Sequence, residues 1–195
     1  VAMFKRRLEH STLTNQVFPA TTFNPVIENH PPRQVTVAGP LSNLRVGRTA
    51  LPEADVDIAF ASLVDLSHWI HTKQISCQRL TQIYVDRLKQ YGPVLNCTVT
   101  LMEQSAISQA RQLDQELAQG RSRGLLHGIP WGAKDLFDTK GVKTTFGAEV
   151  FKNRIPESDA EVVKRLTAAG AVLVAKLSLG ALAYGDVWFG GQTKS

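Results

Sequence analysis

One lysine is a candidate for chemistry, because it lies in a glycine-bearing segment that otherwise has the pattern of a buried strand. The segment is 128–136, and Lys134 is its one cation. Side chains alternate along a strand, which puts Gly132, Lys134 and Leu136 on one face. Burial penalises the charged ammonium and lowers its pKa from the ordinary ~10.4, so that a lysine can serve as a base. The sequence therefore predicts a buried Lys134 that could act as a base.

A structural role is the alternative for Lys134. A buried lysine can form an ion pair, and Asp138 is the carboxylate that the sequence offers for it. Structural ion pairs perturb lysine pKa values as catalytic sites do, so the pattern leaves both interpretations open. Lys176 is a second candidate base, but it follows a predicted strand end and lacks small neighbours, which favours Lys134.

The residues alone supply no nucleophile for such a base. No G-x-S-x-G elbow occurs, since Ser178 has a lysine where that motif needs its first glycine. No serine opens an S-x-x-K motif, and no glycine-rich loop fits a phosphate or dinucleotide fingerprint. His68 and His71 lie three apart on a predicted helix, but no third ligand accompanies them. The sequence predicts neither a metal site nor a cofactor.

The composition is that of an ordinary globular chain, with 195 residues, 43% hydrophobic and 20% charged. The net charge of +5 arises partly near the N-terminus, and no aromatic-interleaved basic patch follows, so we expect no nucleic-acid binding. No apolar run reaches the length of a membrane span. Cys77 and Cys97 suggest no disulfide framework. The start shows no apolar signal-peptide core, which favours a cytoplasmic location without excluding export.

The chain divides into an irregular arm and a folded part. Residues 1–55 are rich in proline and lack periodicity, which predicts an extended N-terminal arm. Residues 56–195 show sustained helical and strand patterns. We therefore expect one domain, or part of one, over 56–195.

The first half of this domain is predicted to be mostly helical. Helices begin at the capping positions Ser62 and Ser76, and the second stops at 92–93. Residues 95–101 alternate like a half-buried strand, and Thr100 is expected to cap a third helix. These helices have the pattern of a cover packed on a sheet.

The second half predicts a pair of parallel strands. The strand with Lys134 leads into the loop 136–147, a helix capped by Ser158 and an apolar strand at 171–175. A strand–helix–strand unit favours parallel pairing. The loops 136–147 and 176–180 should then lie together at the carboxyl ends of the strands, where sites form in such sheets. The expected fold class is α/β, a mixed sheet covered by helices.

A series of motifs in this order resembles the amidase signature family. The motifs are Leu126–Asp135, Asp138–Gly141, Thr144–Thr145, Asp159–Ala160, Ala168–Ala171, Ala175–Ser178 and Gly190–Thr193. The resemblance covers about Ala61 to Ser195 and implies the N-terminal part of that family's fold. The joint pattern is similar to stand-alone bacterial or fungal amidases, which are related to the A subunit of the tRNA-dependent amidotransferase.

The resemblance implies hydrolysis of amide C–N bonds through a Ser–cis-Ser–Lys triad, in which Lys134 matches the lysine. In the family both serines follow the stretch that matches Gly190–Thr193, and this sequence ends at Ser195 before them. We therefore expect the chain alone to be inactive, either as a truncated product or as the N-terminal part of a longer enzyme. Leu179 and Trp188 could line the acyl pocket, although core packing is the alternative for both.

Two further functions remain open. The chain could belong to the A subunit of the amidotransferase, which works with protein partners and tRNA, or it could be a non-catalytic binding or structural fragment. For the amidase, the expected partner is a small-molecule amide substrate. Exposed sheet edges would also favour self-association of the isolated chain.

Overall fold

The structure of the chain is a computed structural model that describes residues 47–194. None of the helices in these residues is long and apolar enough to cross a membrane. Short 3₁₀ turns lie at Glu149–Phe151 and Ala181–Ala183. The longer elements, in chain order, are α1 (Asp55–Ala59), α2 (Leu63–His71), α3 (Cys77–Leu95), β1 (Thr98–Leu101), α4 (Glu103–Ala118), β2 (Pro130–Lys134), α5 (Glu161–Ala168), β3 (Val172–Leu177), β4 (Val187–Trp188) and β5 (Gly191–Gln192).

Three strands form one mixed sheet with the order β1–β3–β2. β2 runs parallel to β3, with Ala133 opposite Lys176 and Lys134 opposite Leu177. β1 runs antiparallel to β3 on its other side, with Thr98 opposite Leu177. The mixed sheet, its helical cover and the parallel pairing across α5 confirm the predicted fold class.

The core joins the sheet to helices α2, α3 and α4. Trp69 and Ile70 of α2 are fully buried, and burial of such side chains contributes about 1.5–3 kcal/mol each. On α4, Ala106, Ala110 and Leu113 follow helical spacing and are buried against the same cluster. The helical spacing read from the sequence therefore identified the packed faces correctly.

Asp65 attaches the chain segment before α1 to helix α2. Ser62 caps α2 as predicted, because its hydroxyl accepts a hydrogen bond from Asp65 N at 3.1 Å. The Asp65 carboxylate accepts bonds from Gly47 N at 2.8 Å and Arg48 N at 3.0 Å. These backbone donors, Arg48 N first, hold the pKa of Asp65 below its ordinary range.

The predicted end of α3 at Gly92–Pro93 is wrong, because the helix continues to Leu95 with Pro93 in its last turn. Gly92 serves close packing instead, since a Cβ on it would lie 2.8 Å from the Thr98 hydroxyl oxygen. The helix ends where Asn96 adopts a left-handed conformation with φ 51°. A glycine is therefore required at position 92 by close packing against β1 and not by the end of the helix.

Two of the predicted helix caps are wrong as well. Thr100 is paired within the sheet as part of β1, and α4 begins only at Glu103. Ser158 does not cap α5, whose preceding residue is Ala160. Ala160 N instead donates to Asp138 O at 2.7 Å, which fixes the start of the helix. Tertiary contacts override the local capping pattern at both positions.

A short antiparallel pair, β4–β5, is attached to the end of α3. The Asn96 side-chain amide donates to Gly190 O at 2.9 Å and to Gln192 O at 3.3 Å. Lys194 N adds a bond to Leu95 O at 2.8 Å. The end of α3 therefore positions both strands of this pair.

Of the predicted arm, residues 1–46 lie outside the described residues. Residues 47–54 contact the body through Gln74, whose amide accepts from Leu51 N at 3.0 Å and donates to Thr49 O at 2.9 Å. Helix α1, which the sequence pattern did not reveal, follows directly. The division into an arm at 1–55 and a domain at 56–195 stays a prediction.

Candidate functional site

Lys134 is the last residue of β2, at the carboxyl end of the parallel strand pair. Its side chain is exposed, so the predicted burial of this lysine is wrong. The predicted alternation is confirmed, since Ala133 and Asp135 are fully buried while Gly132 is exposed. Gly132 and Lys134, on the same face of β2, are both exposed, so nothing within residues 47–194 buries the lysine side chain.

The buried lysine at this end of the sheet is Lys176, whose side chain is 0% exposed. Its ammonium donates to Phe137 O at 2.6 Å and to Thr144 Oγ1 at 2.7 Å. It also lies 3.4 Å from Asp135 Oδ1. Burial lowers the pKa of Lys176, and the charge of Asp135 partly opposes that shift.

Asp135, the neighbour of Lys134, is bonded through its side chain and its backbone. Its Oδ2 accepts from Thr145 N at 2.9 Å and from the Thr145 hydroxyl. Its own N–H donates to Leu177 O at 2.8 Å, and its carbonyl accepts from Phe146 N at 3.0 Å. The first residue after Lys134 is therefore fixed at every polar group except Oδ1, which faces Lys176.

We name Lys176, Asp135, Thr144 and Thr145 the buried lysine cluster. The apolar pattern 171–175 predicts a strand that ends at 175, whereas β3 continues to Leu177 and carries Lys176 inside the strand, so the sequence did not reveal this cluster. The apolar Leu177 directly after Lys176 was a usable signal that the strand continues past 175. The cluster links β3 to the loop that follows Lys134.

Asp138, the predicted alternative partner of Lys134, is paired with Arg154 instead. The guanidinium donates to both carboxylate oxygens, at 2.6 Å and 2.7 Å. This bidentate pair lowers the pKa of Asp138 and raises that of Arg154. Arg154 also lies 5.0 Å from the centre of the Phe146 ring. The pair fixes the loop after β2 and leaves Lys134 out of it.

The loops that follow β2 and β3 lie side by side, as the sequence predicted. Gly147 has φ +66°, and a Cβ on it would lie 2.3 Å from Leu179 O, so the two backbones touch. Leu182 N donates to Phe146 O at 2.8 Å, and Phe189 N donates to Gly147 O at 3.0 Å. The carboxyl ends of the parallel strands therefore form one continuous surface.

Leu179 and Trp188, the predicted substrate contacts, are both buried, with exposures of 5% and 8%. The Trp188 ring packs edge-on against Phe189 at 4.9 Å and lies over Gly190. Leu182, between them in sequence, is 68% exposed. Packing accounts for the burial of Leu179 and Trp188 in this structure, and their contact with substrate stays a prediction.

Of the two histidines on α2, His71 is engaged in hydrogen bonds through its ring. His71 Nδ1 lies 2.7 Å from Ser67 O, and its Nε2 lies 2.8 Å from Ser122 Oγ. Across residues 47–194, no group of three or more His, Cys, Asp or Glu side chains could hold a metal ion. The polar side chains described at the strand ends are amines, hydroxyls and carboxylates.

A sequence model described as Amidase matches residues 79–187, more than half of the chain. The A subunit of the glutamyl-tRNA(Gln) amidotransferase of Bdellovibrio bacteriovorus is 36% identical over 131 residues, covering 67% of this chain and 26% of that protein. The protein of the same name from Acaryochloris marina is 39% identical over 126 residues, covering 65% and 26%. This chain thus spans about a quarter of the length of these curated relatives.

Solved structures show the same similarity. The native peptide amidase from Stenotrophomonas maltophilia matches with a TM-score of 0.65 and 29% identity, over 70% of this chain and 30% of that one. A fatty acid amide hydrolase matches with a TM-score of 0.69 at 24% identity, over 74% and 26%. The second match shows the fold alone. The arrangement of helices and mixed sheet is shared with amide-hydrolysing enzymes.

Proposed function

This chain belongs to the amidase family, and we propose that the protein containing it hydrolyses amide C–N bonds with Lys134 as the base. One observation supports this most directly. Lys134 ends β2 where the loops after β2 and β3 meet, and it lies within the family-matched residues 79–187. A lysine at that edge of a parallel pair is placed where α/β sheets carry their sites.

The proposed mechanism uses a Ser–cis-Ser–Lys triad, of which this chain supplies the lysine. Neutral Lys134 accepts a proton from a bridging serine, which in turn accepts the proton of the nucleophilic serine. The nucleophile attacks the amide carbonyl, backbone N–H groups hold the oxyanion, and ammonia or an amine leaves the acyl-enzyme. Water then releases the acid. Both serines are proposed to lie in polypeptide outside these 195 residues.

The exposure of Lys134 sets a condition on this mechanism. A lysine base works best with its pKa lowered to roughly 7–8, which requires desolvation. The β2 face with Gly132 and Lys134 is open in residues 47–194, so the desolvating cover must come from elsewhere in the protein. We propose that the same polypeptide that carries the serines covers this face, and that the 195-residue chain alone does not hydrolyse amides.

Release of ammonia or amine from a simple small-molecule amide tests the proposal in the full-length protein. Lys134→Ala should lower kcat by ~10³-fold or more, as loss of a triad member does. Lys140→Ala is the matched control, because Lys140 is exposed on the loop that follows β2. Full activity in Lys134→Ala would overturn the proposal. Turnover by the 195-residue chain that disappears in Lys134→Ala would overturn the requirement for outside serines.

A second candidate is the A subunit of a tRNA-dependent amidotransferase. The curated relatives at 36% and 39% identity carry that name. In that case the hydrolysed amide would supply ammonia to a partner protein. Co-purification with the other proteins of such a complex and amide-dependent transamidation of charged tRNA would favour this candidate. Turnover by the full-length protein without partners would favour the stand-alone amidase.

The isolated chain is also proposed to self-associate. β1 and β2 are both edge strands of the sheet. Apolar side chains in the segment after β3 are exposed, among them Tyr184 and Val187. Unpaired strand edges and exposed apolar surface both promote association.

A further inference from the structure

We propose that Lys176 is a positioning residue for the reaction, which fixes the strand end that carries Lys134 through contacts with Asp135 and Thr144. The inference rests on the proposed function, since it gives Lys176 a role through the lysine base. Lys176 itself is buried and lies on the opposite face of the sheet from the open position of Lys134.

All three polar contacts of the Lys176 ammonium fall on the segment directly after Lys134. They reach Asp135 Oδ1 at 3.4 Å, Phe137 O at 2.6 Å and Thr144 Oγ1 at 2.7 Å. These partners are the first, third and tenth residues after Lys134 in the sequence. One ammonium therefore joins both ends of the loop to the central strand β3.

Stability alone is a weak explanation for a buried lysine. Removing charges from water is costly, and replacing a whole buried ion pair by well-packed apolar residues of similar volume often leaves stability unchanged or higher. An apolar side chain would fill the space but would not fix the positions of three separate acceptors. The directional contacts of Lys176 therefore point to a requirement for geometry, in a segment that is otherwise a loop.

The position of the Lys134 backbone depends on this cluster. Lys134 and Asp135 share a peptide group whose N–H donates to Leu177 O at 2.8 Å. Asp135 is held further by Thr145 and by the charge of Lys176. The exposed Lys134 side chain is long and flexible, so its amine can be positioned accurately only if the Lys134 Cα is fixed. A displacement of about 1 Å in a catalytic group can cost ~10²-fold in rate.

The test uses the full-length protein and measures kcat and KM separately. Thr144→Val removes the hydroxyl contact of Lys176 with little change of shape, and Thr144→Ser keeps that contact. Lys176→Met removes the ammonium. We expect Thr144→Val and Lys176→Met to lower kcat by ~10- to 100-fold with KM changed less than about twofold, and Thr144→Ser to restore most of kcat.

Thr81→Val is the matched control, because Thr81 is fully buried on α3 and its hydroxyl has no hydrogen-bond partner among the described residues. It should keep the kcat of the unmodified protein. An equal loss of kcat in Thr81→Val and Thr144→Val would assign the effect to packing and overturn the inference. If Lys176→Met fails to fold, the comparison of kcat in Thr144→Val with kcat in Thr144→Ser tests the positioning role.

Lys134→Ala separates this inference from the function on which it rests. Loss of activity in Lys134→Ala together with an unchanged kcat in folded Thr144→Val would overturn the positioning role alone. Unchanged activity in Lys134→Ala would overturn the proposed function, and with it the role of Lys176.

Discussion

The Lys176 ammonium and the Asp135 carboxylate lie 3.4 Å apart with both side chains completely buried. Charges so placed are costly to separate, because neither can be solvated once its partner is removed. The pair joins the central strand β3 to the residue that follows Lys134. Its energetics can be measured without any assay of activity.

A double-mutant cycle on the 195-residue chain should show strong coupling between these two residues. Lys176→Met and Asp135→Asn should each lower the free energy of unfolding by ~3–5 kcal/mol, since each leaves a buried charge without its opposite charge. The double variant should lose clearly less than the sum of the two. Urea denaturation measures all four proteins, and Lys164→Met on the exposed side of α5 is the control. Additive losses would contradict the coupling.

Lys134 should be dispensable for folding. Its side chain is exposed, so Lys134→Ala should change the free energy of unfolding of the 195-residue chain by no more than ~0.5 kcal/mol. The same substitution is expected to abolish amide hydrolysis in the full-length protein. Chemical denaturation of the variant chain beside the unmodified chain provides the measurement. A large loss of stability would show that Lys134 has a structural partner.

The Asp138–Arg154 pair should make stability depend on acid pH. The hydrogen bonds from Arg154 hold the folded pKa of Asp138 below its unfolded value of ~3.9. The carboxylate therefore contributes stability that is present above pH ~3.9 and is lost as the pH falls through the folded pKa. Asp138→Asn should lower the Tm at pH 7, and the difference from the unmodified chain should shrink below pH ~4.

Thermal unfolding between about pH 3 and pH 7 measures this difference. Glu157→Gln is the control for Asp138→Asn, because Glu157 is an exposed carboxylate. A difference in Tm for Asp138→Asn that stays constant down to the acid end of this range would show that the pair contributes no pH-dependent stability.

Two glycines with similar positive φ angles should respond differently to substitution by alanine. Gly141 has φ +74° and nothing within 4 Å of an added Cβ, so Gly141→Ala should cost only the left-handed strain of ~1–2 kcal/mol. Gly147 has φ +66°, and its added Cβ would meet Leu179 O at 2.3 Å. Gly147→Ala should cost at least ~1–3 kcal/mol more. Equal losses of unfolding free energy in urea denaturation would contradict the close contact between Gly147, in the loop after β2, and Leu179, in the loop after β3.

The isolated chain should form oligomers as its concentration rises. Sedimentation velocity over a wide range of concentration would detect them. Val187→Lys places a charge on the exposed apolar surface and should weaken association that uses this surface. Association that persists in Val187→Lys would point to the strand edges. A folded monomer at every concentration would contradict self-association and favour a binding or structural fragment.

The sequence predicted local features well where local physics decides them. The caps at Ser62 and Ser76 were correct, because a serine hydroxyl satisfies a helix N-terminus with no help from the rest of the fold. The predicted alternation of faces around Lys134 was also correct, because successive side chains of a strand point to opposite faces wherever the strand lies. Whether other elements pack against a face of a strand depends on the whole fold. The two-residue alternation along β2 therefore could not predict whether Lys134 is buried.

The buried lysine cluster shows what the sequence could not give. Its members come from β3 and from a loop that lies more than thirty residues earlier in the chain, and Lys176 reaches Thr144 across a sequence separation of 32. No periodicity connects residues at that distance. The family resemblance identified Lys134 as the lysine of interest but did not reveal which neighbours fix its position.

The short pair β4–β5 depends on its attachment to Asn96 at the end of α3. Two strands of two residues each cannot persist in water by their own pairing. Their order is therefore inherited from the last turn of α3, almost a hundred residues earlier in the chain. Unwinding that turn would release the hairpin and bring the buried Trp188 ring into solvent.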